Sequence, residues 1–443
     1  MLAAPKERQH LSHDGLHRLL RDEFKKIPDH RGKSAEIALS DALMSGFAVF
    51  ALKAPSLFLF DEQRQADEPN LKSLFGMRRI PSDTQMRTIL DEVDPEHLRP
   101  AFTSVFRQLQ RGKALEPFVF FQNHYLLALD GTSYFSSEKI HCSACLEKKS
   151  RNGKIAYSHQ MLGAALVHPD LREVIPVCPE PIIKQDGETK NDCERNATRR
   201  FLERFREEHP KLPVIVVEDA LSSNAPHLVD LANNGCRFII GIKPGSHGYL
   251  FEQMRIAIEN GRVQTMTLFE ENGPTRHYRW LEKASLNESN AEVLVTMLEY
   301  FEQPARGSNA FPRHFSWVTD LPVNKTTAPI LTRGGRSRWH IENETFNTLK
   351  NQGYHFDHNF GHGHNHLSVV FALLMMLAFL VDQTTQLCDE MFQAVWEKLR
   401  TKKFLWERVR AAFACLQLPS MRALYEALLR NYKAPLPESA DTS

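Results

Sequence analysis

The residue types that could carry chemistry in this chain are carboxylates beside apolar segments. Asp130 follows the apolar run in "LLALDGT", and Asp219 follows the run in "VIVVEDA". A third carboxylate, Glu342, lies in "RSRWHIENETFNTLKNQG" (336–353), where apolar residues recur at helical spacing. Each aspartate alone could simply form a turn at the end of a strand. Together, carboxylates on three elements could bind Mg²⁺, which prefers oxygen ligands.

The chemistry that such a set of carboxylates supports is phosphoryl transfer. Two divalent cations about 4 Å apart can hold the attacking and the leaving oxygen of an in-line displacement. Ligands of α/β sheets lie where the carboxyl ends of the strands meet. We therefore expect Asp130 and Asp219 to end two core strands. If these strands are neighbours, both carboxylates reach the same place, and Glu342 on a later helix that crosses this edge of the sheet would complete the cluster.

Glu344 is an alternative third carboxylate in the same helix. At about 100° per residue, Arg338, Glu342 and Phe346 share one helix face, and Glu344 points about 160° away from Glu342. This geometry favours Glu342. The sequence alone leaves the choice between the two glutamates open.

Basic and aromatic residues accompany Glu342 on this helix. Arg338, four residues earlier, is placed to contact a phosphate group that the same cations contact. Lys350 could make a similar contact further along the helix. Trp339 is expected to pack in the core, as aromatic residues beside a helix start usually do.

The elements that must position these residues divide the chain into five parts. Residues 1–115 have helical apolar spacing, 116–261 alternate strands and helices, 262–316 are rich in strands, 317–385 hold the Glu342 helix, and 386–443 are helical with a short disordered tail. Alternation of strand and helix predicts an α/β fold with several parallel strands. The β-rich segment would then interrupt that α/β core.

Composition indicates a soluble intracellular protein. The chain has 443 residues and a net charge of 55 − 54 = +1. Because the chain as a whole is nearly neutral, binding of a nucleic acid would depend on a local basic patch. The seven cysteines are scattered, and the first twenty residues lack an apolar leader, which is typical of the reducing cytoplasm. The apolar run 367–381 is shorter than the roughly 20 residues of a membrane span, so we expect a buried helix.

A second possible metal site involves sulfur ligands. Cys142 and Cys145 form a C-x-x-C pair, with His141 adjacent and Cys193 further along. Four such ligands would suit a structural Zn²⁺. Because no second pair follows at a standard spacing, we favour a pair of reduced thiols in a basic loop.

Three other charged segments have ordinary interpretations. The histidine-rich segment 353–367 contains His358-x-x-x-His362, and its glycines favour a loop over a metal site. The arginines of the long helix predicted over 190–210 are expected to pair within that helix. Residues 26–33 and 82–90 could form a helix-turn-helix-like unit that binds DNA ends.

The chain resembles the DDE transposases of bacterial insertion sequences, in the branch with a β-rich insertion before the last catalytic residue. The resemblance covers about residues 120–385 and rests on "LALDGT" with Asp130, "VVEDALSSN" with Asp219 and "RSRWHIEN" with Arg338 and Glu342. The separation 342 − 219 = 123 residues fits a core interrupted by an inserted β domain. The family implies an RNase H-like core and two Mg²⁺ ions, for which Mn²⁺ can substitute. It also implies strand cleavage and strand transfer by a homodimer acting on transposon ends and target DNA in the bacterial cytoplasm, where the enzyme associates with the nucleoid.

Two positions depart from the family pattern. Gly335 stands where this branch has a tyrosine seven residues before the glutamate, and Leu349 stands where it has a lysine, with Lys350 following. These departures motivate an alternative function, an inactive or domesticated relative that only binds DNA. A non-transposing nuclease on the same core is another, and a zinc-containing interaction protein is a third.

Overall fold

The structure is a computed structural model that describes residues 6–32, 35–184 and 192–433. It is an α/β fold in which helices flank one mixed sheet of twelve strands, as predicted for the fold class. The strands are β1 Val119–Phe121, β2 His124–Ser137, β3 Leu146–Lys149, β4 Ile155–Val167, β5 Ile175–Pro176, β6 Glu180–Ile182, β7 Val214–Glu218, β8 Arg237–Gly241, β9 Gln264–Leu268, β10 Thr275–Asn287, β11 Asn290–Gln303 and β12 Arg313–Thr319. Their order in the sheet is β3-β4-β2-β7-β8-β12-β11-β10-β9, with β1 paired to β2, and β5 and β6 paired to β4.

Strands β2, β7 and β8 form the parallel centre of the sheet. All five residues of β7 are buried, which is why its sequence is a continuous apolar run before its final glutamate. Strand β4 runs antiparallel to β2 on the other side, and β12 runs antiparallel to β8. The parallel centre therefore lies between two antiparallel regions.

The predicted β-rich segment forms strands β9 to β12. These strands pair antiparallel with one another, and β12 pairs with β8, so they extend the central sheet. The boundary that the sequence suggested at 316/317 falls inside β12. The chain enters the segment after the helix that follows β8 and leaves it directly before the region of Glu342.

Helices flank the sheet, and their buried side chains join those of the strands in one hydrophobic core. The helices are α1 His13–Phe24, α2 Leu39–Ala51, α3 Leu57–Phe75, α4 Asp83–Asp91, α5 Arg99–Arg111, α6 Glu194–Glu208, α7 Ala225–Asn233, α8 Gly248–Glu259, α9 Thr327–Arg336, α10 Asn347–Asn351, α11 Leu367–Cys388, α12 Glu390–Leu399, α13 Lys402–Cys415 and α14 Met421–Asn431. Residues 82–90 supply the capped start of α4, where Ser82 and Gln85 form a capping box, and 26–32 connect α1 to α2. The tail predicted to be disordered, 434–443, lies outside the described residues.

Helix α11 lies in the hydrophobic core. It is 22 residues long and apolar enough to cross a membrane, but 94% of its most apolar window is buried against other parts of the chain. At Gly46 of α2, an added Cβ would lie 2.8 Å from Leu374 of α11, so the two helices pack closely. Lys53 and Asp382 form a fully buried ion pair at 2.5 Å between these helices. The apolar run is thus a core helix, as predicted, and extends seven residues beyond the predicted end at residue 381.

The arginines of α6 are not paired within their helix, so that prediction was wrong. Arg200 and Arg204 both bind Glu180, a fully buried carboxylate on β6. Arg99 of α5 contacts the same carboxylate. Since a buried carboxylate is costly without partners, these arginines fasten α5 and α6 to the edge of the sheet.

Candidate active site

Asp130 and Asp219 lie on neighbouring parallel strands. Ala128 of β2 is the register partner of Val217 of β7. Asp130 lies two residues after Ala128 within β2, and Asp219 lies two residues after Val217, just past the end of β7. The two strands are therefore adjacent, which is the condition for both carboxylates to reach the same place. The prediction that Asp130 ends its strand was wrong, because β2 continues to Ser137 by pairing with β4. Only the parallel pairing stops before Asp130.

Glu342 lies on the segment between α9 and α10, over the same point of the sheet. The guanidinium of Arg338 donates to Asp130 Oδ2 at 3.2 Å from Nη1 and to Glu342 Oε1 at 2.8 Å from Nη2. One cation thus contacts the first and third carboxylates. Arg338 therefore lies beside the carboxylates, where it was expected to contact a phosphate group, and in this structure it contacts two of the carboxylates.

The backbone around Glu342 is a π-helix, Ile341–Phe346, and not a regular α-helix. Its wider turns make the rotation of about 100° per residue inapplicable here, so the reason given for preferring Glu342 was wrong. The contacts nevertheless separate the two glutamates, because Glu342 binds Arg338 whereas Glu344 interacts electrostatically with Lys402 of α13. Local π-helical turns inside helices are common at functional sites.

A glycine lets the Glu342 segment approach the sheet. Gly163 of β4 is the register partner of Asp130, and a Cβ built on it would lie 2.7 Å from the ring of Phe346. Since real Cβ atoms do not come that close, the buried Phe346 ring occupies the space that a side chain at position 163 would need. This contact sets the height of Glu342 above the aspartates.

A fourth carboxylate, Glu194, was missed by sequence reasoning. It is the first residue of α6, and it accepts a hydrogen bond from the backbone of Gly131, beside Asp130. A Cβ on Gly131 would lie 2.5 Å from Glu194 Oε2, so a larger residue at position 131 would displace this carboxylate from its present place. The spacing of "NDCERN" contains no signal for this position, because the start of α6 reaches β2 only in the folded sheet.

The electrostatics of the site are those of excess negative charge. The pKa of Asp130 is raised to about 7, mainly because the carboxyl is buried; Arg338 lowers this pKa, and Glu342, Glu194 and Asp219 raise it. Burial also raises the pKa of Glu194, with Asp219 contributing. Carboxylates placed so that their charged forms repel one another are suited to binding cations.

An open cleft of about 590 Å³ lies beside this cluster. Asp219 and Arg338 line it, whereas Asp130 and Glu342 do not, and Gly335 and Trp317 form part of its wall. Its other charged and aromatic lining residues include Lys243, Arg313, Arg336, Phe315 and Trp339. Basic side chains interleaved with aromatic rings are typical of surfaces that bind nucleic acid strands.

Two of the remaining predictions, and one departure from the family pattern, can be compared with the structure. Trp339 was expected in the core, but it is 43% exposed and stacks on His340 at 4.1 Å, so that prediction was wrong. Lys350 pairs with Asp357 at 3.5 Å and does not contact the carboxylates. At Gly335, an added Cβ would lie 2.5 Å from Trp317 Nε1, so the indole occupies the space of any larger residue.

The C-x-x-C pair belongs to a separate cluster. Cys142 and Cys145 lie with His159 and His362, and the four ligand atoms are within 4.8 Å of one another. His141 and Cys193, the other ligands considered from the sequence, are not part of this cluster, because the ring of His141 stacks on Tyr157 and Cys193 is exposed before α6. The other two members are His159, 14 residues after Cys145, and His362, 217 residues after it. No local motif encodes these separations.

Comparisons with known proteins do not assign a family. No protein-family model matches the chain, and no curated protein matches it. The function is therefore inferred from the geometry and chemistry of the two clusters and the cleft.

Proposed function

We propose that this chain is a metal-dependent DNA transposase that cleaves and joins strands at the ends of an insertion sequence. The observation that carries the proposal is that Arg338 contacts both Asp130 and Glu342 and, together with the nearby Asp219, lines a basic and aromatic cleft. Carboxylates from two strands and a helix supply cation ligands, and the cleft supplies a surface for the DNA backbone. The two features lie side by side, as phosphoryl transfer on DNA requires.

The sheet order supports the proposed RNase H-like core. The part β3-β4-β2-β7-β8 joins an antiparallel region to parallel strands, and the first two carboxylates are on the neighbouring strands β2 and β7. The third arrives after the β-rich segment, in agreement with the 123-residue separation. This arrangement agrees with the DDE family that the motifs resemble.

The donor set fits divalent cations of the Mg²⁺ type. Asp130, Asp219 and Glu342 offer only oxygen, and the pKa of Asp130 is raised by burial and, to a smaller extent, by the neighbouring carboxylates, whose charge a cation would neutralise. When bound, Mg²⁺ or Mn²⁺ would supply the Lewis acid that activates the attacking oxygen and stabilises the leaving one. Asp219 Oδ1 accepts a hydrogen bond from Leu221 N–H at 2.8 Å, which fixes the orientation of this ligand.

The residues around the carboxylates would bind and orient the DNA. Arg338 holds Asp130 and Glu342 in this structure, and its guanidinium is placed to exchange a carboxylate for a phosphate when DNA enters. Lys243, Arg313 and Arg336 line the cleft beyond it and would contact further phosphates. Phe315 and Trp339 present partly exposed rings on which bases could stack.

The proposed reaction requires two copies of the chain. Two transposon ends must be cut and joined, and each copy holds one set of carboxylates, so we propose a homodimer in the DNA-bound complex. Its substrates would be the element's own ends and a target DNA, in the cytoplasm of a bacterium. The N-terminal helices, including α4, are proposed to bind the ends.

An excision assay in cells tests the proposal. The gene's native flanks bracket a reporter, and wild type is compared with Asp130→Ala, Asp219→Ala, Glu342→Ala and the matched control Glu344→Ala. We expect excision to fall to background in the first three variants and to persist in Glu344→Ala, because Glu344 interacts with Lys402 and not with the cluster.

Each other outcome points to a specific alternative. Loss in Glu344→Ala with excision retained in Glu342→Ala would reassign the third carboxylate. DNA cleavage without preference for paired ends would indicate a nuclease on the same core. Specific binding to the flanks by a wild-type protein that never cleaves them with Mg²⁺ or Mn²⁺ would indicate an inactive relative.

A further inference from the structure

The cluster of Cys142, Cys145, His159 and His362 has the geometry of a metal shell. The two sulfur atoms are 3.9 Å apart. His159 Nε2 is 3.4 Å from Cys142 Sγ and 3.3 Å from Cys145 Sγ, and His362 Nε2 is 3.3 Å from Cys145 Sγ. All four ligand atoms thus converge on one point from separate directions.

These separations match a tetrahedral zinc site. With Zn–S bonds of about 2.3 Å and Zn–N bonds of about 2.0–2.1 Å, a regular tetrahedron has S···S near 3.8 Å and S···N near 3.5 Å. A disulfide would instead bring the two sulfurs to about 2.05 Å. The Cys142 and Cys145 sulfurs are therefore spaced as two ligands of one ion.

Three of the four ligand residues are shielded from solvent. Cys145, His159 and His362 are buried, with exposed fractions of 1%, 1% and 7%, and Cys142 is half-buried. Four protein ligands fill a tetrahedral shell, which leaves no position for a substrate or an activated water. Such a site stabilises structure and does not catalyse a reaction.

We propose that these four residues bind one structural Zn²⁺. Thiolate and imidazole ligands together favour zinc over the oxygen-seeking Mg²⁺ that the carboxylate site would take. The inference stands on the cluster alone and goes beyond the proposed function.

The zinc would join three parts of the chain that are distant in sequence. Cys142 and Cys145 precede β3, His159 lies on β4, and His362 lies in the segment between α10 and α11. That segment directly follows the π-helix and α10, so the ion would fasten the chain after Glu342 to β4, which pairs with Asp130's strand, and to the start of β3, which pairs with β4. We infer that the ion holds the third carboxylate in register with the sheet.

Metal analysis of the purified full-length chain tests the proposal. Wild type, prepared without chelator, should contain about one zinc ion per chain, and His362→Ala and Cys145→Ser should lose most of it. His358→Ala and Cys193→Ser are the matched controls, since both residues are exposed and lie outside the cluster, and they should retain the ion.

Cobalt substitution keeps the test decisive if those variants fail to fold. Co²⁺ in the wild-type site should give the visible bands of a tetrahedral ion and a thiolate charge-transfer band. His362→Cys should still bind one ion and strengthen that band, because it adds a third thiolate. A folded wild type that takes up neither Zn²⁺ nor Co²⁺, or equal metal loss in His358→Ala, would overturn the proposal, whatever the chain's activity on DNA.

Discussion

The carboxylate site and the Cys/His cluster use the same part of the chain in opposite ways. Glu342 and His362 are twenty residues apart, and each is the last residue of its set along the chain. The carboxylate set begins with Asp130 on β2, and the Cys/His set begins with Cys142 on the segment after β2 and continues with His159 on β4. The carboxylate site is open, with Glu342 half exposed and Arg338 contacting two of its carboxylates. The Cys/His cluster is closed, and its four ligand atoms lie within 4.8 Å of one another.

The open site is suited to exchange of substrate and water, and the closed cluster is suited to retaining a single ion. An open set of like charges leaves positions for substrate and water, and it costs stability while no cation is bound. A closed set of four soft ligands has no such position and gains stability from its ion. The molecule therefore places a proposed anchor beside a proposed reaction centre on one continuous segment.

Removal of each metal should have the largest effect and should affect the two sites differently. In excess Mg²⁺, a chelator selective for zinc should lower the melting temperature of wild type on the order of 10 °C, since structural zinc contributes several kcal/mol. Omitting Mg²⁺ should abolish strand cleavage with little fall in melting temperature. Differential scanning fluorimetry and a cleavage assay on the flanking DNA measure the two effects. An unchanged melting curve after zinc removal would mean that the closed cluster is not an anchor.

Gly163→Ala should show how strongly the two sites depend on the height of the π-helix. The new Cβ would collide with Phe346, so we expect a loss of about 1–3 kcal/mol in the free energy of unfolding and roughly a 10- to 100-fold fall in cleavage rate. Urea denaturation and single-turnover cleavage measure them.

Gly248→Ala is the matched control for this substitution, because an added Cβ there meets nothing within 4 Å. If Gly163→Ala cleaves DNA at the wild-type rate, contact with Phe346 does not set the position of Glu342.

Asp130→Asn should stabilise the metal-free protein while it abolishes cleavage. The pKa of Asp130 is raised to about 7, so the folded chain keeps a proton that the unfolded chain releases near pH 4. The stability of wild type therefore falls as pH rises through this window, and the variant lacks that fall. We expect the variant's advantage to widen from pH 4 to pH 7 to something on the order of 1 kcal/mol.

Thermal melts without divalent ions, at a series of pH values, measure this advantage. Glu344→Gln serves as the control and should follow wild type. A variant that is less stable than wild type at pH 8 would contradict the interpretation of the site as a surplus of negative charge.

Arg338→Ala should have the smallest of these effects. We expect it to weaken the salt dependence of DNA binding. If the guanidinium binds one phosphate, the slope of log affinity against log salt should fall by about 0.9, with the same change for all DNA sequences. Fluorescence anisotropy with flank DNA measures the slope. Arg333→Ala is the control, since Arg333 pairs with Asp170 at the surface, and an equal change in both variants would remove Arg338 from the DNA contact.

Local pattern was enough to predict the elements and the three carboxylates as candidates. Alternating strands and helices indicated the α/β fold, and the apolar run at 367–381 indicated a core helix. Pattern failed where partners come from distant segments. The arginines of α6 bind Glu180 of β6, and the cysteines lie with His159 and His362.

The sequence by itself determined which residues could do chemistry, because residue type and apolar spacing are local properties. It supplied Asp130 and Asp219 beside buried strands and Glu342 on a helix, with Arg338 four residues before it. Only the tertiary structure decided that Arg338 contacts both Asp130 and Glu342, that Glu194 joins them, and that His362 meets the cysteines. Those contacts depend on strand register and on two glycines that leave room for a neighbour, Gly131 and Gly163, and packing across the sheet is not encoded in any short stretch of chain.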